Sequence, residues 1–192
     1  MDYTNAGADI SADGRYRYKL WREWLSLDTP REHWRWLGAK DGAGHELGEP
    51  KSVLFVMLNP STADGTTDDP TIRRCVGFAR AWRYDRLEVV NLFAHRATDP
   101  RAILAMNDAD EPYGPRNQAA VERAACEAGV IVCAWGAHGG HLGHDETVLG
   151  WLERWDVPIM ALGFTASGKP RHPLYLPRDA KLEPMRGVRA TP

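Results

Sequence analysis

Residues 51–58, KSVLFVML, form a nearly unbroken apolar run that stops at Asn59-Pro60. A strand with one wet face alternates apolar and polar residues. A run without alternation needs cover on both faces. Three more such runs follow: RLEVVNLF (86–93), GVIVCAWG (129–136) and VPIMALG (157–163). Between them lie helical segments. One occupies residues 70–82, with Pro70 in its first turn and Asp69 as its cap. PRNQAAVERAACEA (115–128) and DETVLGWLERW (145–155) are the others. Strand and helix in alternation predict an α/β fold: a three-layer α/β/α sandwich around a mainly parallel, four-stranded central sheet with right-handed crossovers.

The flanks are less regular. Residues 1–14 are polar and rich in small residues, and read as flexible. RYRYKLWREW (15–24) alternates charged with aromatic or apolar residues, which predicts an edge strand covered on one face. Residues 38–50 read as a loop, and the chain after residue 163 as irregular. Trp21, Trp24, Trp34 and Trp36 are expected between the N-terminal segment and the sheet. At 192 residues the chain suits one domain, 1–192, with residues 15–185 as its globular part. No run is long enough to span a bilayer, and no signal peptide is visible. Three unpaired cysteines suit a reducing cytoplasm and exclude a four-cysteine metal site. A net charge of −2 excludes bulk polycation behaviour. A cytoplasmic monomer with no membrane partner is the expectation.

In parallel sheets, ligands bind where the strands end. Four polar segments follow the four apolar runs: LNPST, NLFAHRATDP, WGAHGG and ASGKPRHPLYLP. The fold would gather them at one crevice. Arg73 and Arg74, near a helix start, are candidates for phosphate contact or for pairing with Asp68 and Asp69. Phe93 or Phe78 could stack on a base. His138, His141 and His144 have the look of a metal cluster, but their glycine-rich spacing points to a mobile loop over the substrate, and no metal is expected. Residues 169–192 hold six Lys/Arg against two acids, and residues 15–40 seven against three. Two such basic stretches could flank a cleft and track phosphates, with Lys169 and Arg171 among the contacts.

LNPSTAD…DPTIRR, VVNLFAHRATDP, AWG and G-x-P-x-HPLYL together resemble the bacterial domain-of-unknown-function 1643 family, over roughly residues 15–185. More distantly, Asn59-Pro60, Asn91, Trp135-Gly136 and His172-Pro173 resemble, in order, motifs of the uracil-DNA glycosylase superfamily. The spacing differs, most of all at Asn91. This resemblance implies that Asn59 holds the attacking water, that Asn91 reads the edge of a flipped base, and that His172 hydrogen-bonds the departing base. Trp135 and Gly136 would complete the pocket. Asn59 cannot act as a base, so a carboxylate from Asp64, Asp68 or Asp69 would assist, or the reaction would be slow. The classical uracil enzymes carry Tyr after Asp-Pro. Here Ser61 and then Thr62 follow, which implies room for a group at C5 of a pyrimidine.

The function expected is that of a monofunctional DNA glycosylase needing no cofactor. Its partner would be single- or double-stranded DNA carrying a modified, 5-substituted pyrimidine, in base repair or in defence against phages with modified DNA. Two alternatives stand beside it. One is a hydrolase or transferase acting on a free nucleoside or nucleotide; the other is a nucleic-acid-binding module without turnover.

Overall fold

All six residues of the strand Ser52–Met57 are buried, as its unbroken apolar sequence requires. The computed structural model describes residues 2–24, 52–61 and 63–188. In chain order the elements are β1 (Asn5–Ile10), β2 (Arg17–Glu23), β3 (Ser52–Met57), α1 (Pro70–Ala81), β4 (Arg86–Asn91), α2 (Pro100–Leu104), α3 (Asn117–Glu127), β5 (Ala128–Cys133), α4 (His144–Leu152), β6 (Ile159–Ala161) and β7 (Glu183–Pro184). Short 3-10 turns lie at Asp108–Asp110, His141–Gly143 and Pro173–Tyr175.

One sheet runs in the order β1-β2-β4-β3-β5-β6-β7. The four apolar runs form its parallel centre, β4-β3-β5-β6. Successive residues of β3 serve opposite faces. Leu54 and Val56 join a core with Val121 and Ala124 of α3 and Val148 and Leu152 of α4. Val53, Phe55 and Met57 join a second core with Ile72, Cys75, Val76 and Ala79 of α1. Helices thus cover both faces. Asp69 caps α1, its Oδ1 accepting from the Ile72 N–H at 2.8 Å.

Among the described residues the sheet has seven strands rather than four, because antiparallel strands extend both sides. RYRYKLWREW is not an edge: β2 lies between β1 and β4, antiparallel to each. Part of the stretch expected to be flexible, Asn5–Ile10, is the edge strand instead. Its sequence, NAGADI, alternates only weakly, with Ala6, Ala8 and Ile10 as its apolar positions, and backbone pairing with β2 holds it. Gly7 is needed there, because a Cβ would lie 2.1 Å from the Trp21 ring. The C-terminal region is irregular apart from the 3-10 turn and the short β7, which pairs with β6. Trp24 is buried near Tyr3, as expected of that group. Trp34, Trp36 and the expected loop at 38–50 lie outside the described residues.

Arg22 secures the join between β2 and the loop before α1. Its side chain is fully buried, and its Nε donates to Asp68 Oδ1 at 2.8 Å while Nη2 donates to the Asp64 carbonyl at 2.7 Å. Removing one partner of a buried pair leaves the other charge uncompensated. Arg22→Ala should therefore cost about 3–5 kcal/mol, read as a lower midpoint in urea unfolding. A change below about 1 kcal/mol would assign the pair no structural weight.

Candidate functional site

The chain leaves β3 toward β4 through α1 on one face, then crosses to β5 through α3 on the other. The loops after β3 and β5 therefore diverge, and a crevice opens between them, the usual ligand position in an open parallel sheet. A cavity of about 640 Å³ lies there. Asn59 and Ser61 follow β3, Asn91 ends β4, and Trp135 and Gly136 follow β5. His172 and Tyr175 come from the last loop, and Asp69 from the start of α1.

Asn59 is held by its own loop. Its Nδ2 donates to the carbonyls of Pro60 at 3.0 Å and Ala97 at 2.8 Å, which leaves Oδ1 as the free end of the amide. Asn91 is 1% exposed, and its buried Oδ1 has no protein partner. The neighbouring backbone is pinned, because the Asn117 amide donates to the carbonyls of Asn91 and Leu92, each at 3.0 Å. The buried Trp135 Nε1–H also has no protein partner. A buried polar atom left alone costs about 1–3 kcal/mol, and both of these belong to residues that line the cavity. Gly136 has φ +76°, a conformation that favours glycine, and its N–H donates to the Pro170 carbonyl at 2.9 Å. That bond ties β5 to the loop that carries His172.

His172 Nδ1 accepts from the Leu174 N–H at 3.3 Å, so the ring proton sits on Nε2. Burial lowers its pKa, with Asp69 opposing, and the ring is neutral at pH 7. Asp69 spends Oδ1 on the helix cap and leaves Oδ2 for the cavity. Arg17, at the start of β2, is 3% exposed and lines the same cavity. Burial pulls its guanidinium down to about 10; Asp69 opposes and Arg96 adds to the effect. It stays charged at neutral pH.

Other expected site residues stand elsewhere. Asp64 is off the cavity wall, accepting from the N–H groups of Thr66 and Thr67, bonds that lower its pKa. Asp68 is occupied by Arg22 and by the Tyr3 hydroxyl. Arg74 donates to the Leu176 carbonyl and lies over Phe78, tying down the last loop and not facing a phosphate. Arg73 is exposed but bonded to the Asp68 carbonyl. Lys169 pairs with the buried Asp145 at 2.5 Å. Arg171 is exposed, off the cavity lining. Phe93 is fully buried against Tyr113 and His144, and Phe78 packs on Trp82, so neither can stack on a base. Thr62 lies outside the described residues.

In the segment that carries the three histidines, His141–Gly143 form a 3-10 turn leading into α4. His138 lines the cavity, His141 bonds the Met106 carbonyl, and His144 is buried with its ring 4.2 Å from that of Tyr113. Among the described residues no three His, Cys, Asp or Glu side chains are grouped to hold a metal. No helix there is long and apolar enough to cross a membrane.

Arg17, Asn117 and Tyr175 escaped the sequence reading. Arg17 sits in an alternating run where charge suggests an outward face. Tyr175 is 86% exposed at the cavity mouth, a position open to stacking, and only tertiary structure reveals that exposure.

Fold and cavity define an open α/β protein with a crevice at the carboxyl ends of its parallel strands. A family model described as "Protein of unknown function (DUF1643)" matches residues 17–174, and the chain belongs to that family. No curated protein and no solved structure matches it.

Burial pushes His144 down to about 4, well below the usual histidine value. The unfolded chain binds that proton from about pH 6.5 downward while the folded chain refuses it, so stability is full above that range and falls as pH drops toward 4. The loss should reach a few kcal/mol, on the order of 3. His144→Gln should flatten that slope. Carbon-13 NMR titration should place both His144 and His172 below about 6.5; a value above that for His172 would remove the neutral-donor assignment.

Proposed function

We propose that the cavity takes a flipped pyrimidine and that the protein is a monofunctional DNA glycosylase. The observation that carries this reading is the convergence of Asn59, Asn91 and His172 on one cavity of about 640 Å³. The reaction breaks the N-glycosidic bond, and its electron pair leaves with the base. The sugar passes through an oxocarbenium-like state, which demands little nucleophilic push. Neutral His172 then donates its Nε2–H to the oxygen on which charge develops. Water adds to C1′, held by Asn59 Oδ1, and its proton passes to a carboxylate. Asp69 is the one candidate aspartate on the cavity wall, and its free Oδ2 suits that role. Asn91 offers both a donor and an acceptor to the base edge. Ser61, a small side chain on the wall, leaves room for a 5-substituent. Base repair, or defence against phage DNA with bulky pyrimidines, would use such an activity.

The test is incubation with DNAs bearing modified bases, alkaline cleavage at abasic sites, and mass measurement of the released base. No alkali-labile site on any modified DNA, or turnover of mononucleotides alone, would overturn the reading. Asn59→Ala should depress single-turnover excision on every substrate while DNA binding persists. Asp69→Asn keeps the helix cap but loses the charge, and should slow excision roughly a hundredfold. Ser61→Tyr overpacks the wall at a cost of about 1–3 kcal/mol. Bulky 5-substituted bases should then lose roughly ten- to a hundredfold, and small ones less. Equal slowing of both would remove Ser61 as the gate.

A further inference from the structure

Two arginines of β2 are buried, and they differ in one respect. Arg22 is 0% exposed, and the edge of its guanidinium formed by Nε and Nη2 is filled by Asp68 and the Asp64 carbonyl. Arg17 is 3% exposed and spends only Nη1, on the Ala63 carbonyl at 2.8 Å. Its Nε is buried without a partner, and it has no ion pair. The same Nε–Nη2 edge therefore has no protein partner among the described residues. A buried charge without a partner is costly, and this one lines the cavity. The open edge is the fork that meets two oxygens of a carboxylate or phosphate side by side.

The surroundings favour an anion. The first turn of α1, Pro70 to Ile72, lines the same cavity with its positive end. Arg96 and Arg22 add positive charge near Arg17. Asp69 opposes, but it lies beyond ion-pair distance and already accepts from the α1 backbone.

We propose that Arg17 forms an anion subsite in the cavity, receiving two oxygens of a phosphate or carboxylate carried by the ligand. The subsite rests on the cavity being the substrate site, not on excision as its chemistry. Two sources could supply those oxygens: a phosphate next to the bound base, or an acidic substituent on the base itself.

The experiment is nitrogen-15 NMR of the arginine Nε–H groups in the full chain, assigned with Arg17→Lys. Inorganic phosphate should shift the Arg17 signal saturably and leave that of Arg22 unmoved. Arg17→Gln and Arg17→Lys should each weaken phosphate binding, measured calorimetrically, by roughly tenfold or more, since neither keeps the charged fork. Asp69→Asn should strengthen it several-fold by removing the opposing charge. A deoxynucleoside, its 5′-monophosphate and its 5-carboxy derivative then separate the sources: whichever anionic form gains affinity over the neutral nucleoside in an Arg17-dependent way identifies the group. No phosphate-dependent shift at Arg17 up to tens of millimolar, or equal shifts at Arg17 and Arg22, would overturn the proposal. So would equal loss of neutral and anionic ligands in Arg17→Gln. Phosphate binding without abasic-site formation would leave the subsite standing and remove the glycosylase reading; excision with no anion effect would do the reverse.

Discussion

β3 can be stable only if both of its faces are covered, and the rest of the molecule follows from that demand. A six-residue strand with every residue buried needs partners on both edges and helices on both faces. β4 and β5 take the edges, while α1 and the α3–α4 pair take the faces. Placing β4 on one side and β5 on the other makes the chain reverse its winding at β3. The crevice at the end of β3 is a geometric result of that reversal.

Buried charge is the second organising force. Glu88 is fully buried on β4 and is met by Lys19 and Arg86. Arg22 is buried on β2 and is met by Asp68 and several carbonyls. Both sites connect the antiparallel flank to the parallel centre, through side chains whose desolvation is repaid only in the correct register. The Asp64 turn and the Asp69 cap extend this support into the loop that carries Asn59 and Ser61. Most acidic and basic residues near the site therefore shape it, and few are left free to do chemistry.

What remains on the cavity wall is chemically sparse: the amides of Asn59 and Asn91, the imidazoles of His138 and His172, one half-used carboxylate and a guanidinium with an unpaired edge. No strong nucleophile is among them. The two buried cysteines are poor thiolates, because burial raises their pKa. Such a set is in keeping with the proposed excision, in which the leaving group departs early and the protein mainly positions water and stabilises charge.

The four parallel strands, the Asp69-capped helix and the polar strand ends were legible in the sequence because each depends on local pattern: apolar continuity, capping chemistry, and turn residues after a run. The presence of Asn59, Asn91 and Trp135 at strand ends was legible for the same reason, and so was that of His172 in the loop after the last parallel strand. The N-terminal hairpin was not, since β1 is held by backbone pairing with β2 and its alternating apolar positions, Ala6, Ala8 and Ile10, are mostly too small to mark a strand. Nor were the separate fates of chemically identical residues. Asp64, Asp68 and Asp69 lie within six positions, yet one closes a turn, one neutralises a buried arginine and one reaches the cavity. Arg17 and Arg22 share a strand, yet one is satisfied and one is open. Their sequence neighbours are alike; their spatial neighbours come from distant segments and determine which charges are spent on structure. Local pattern set the strands and their ends, and tertiary packing alone decided which polar groups remained free.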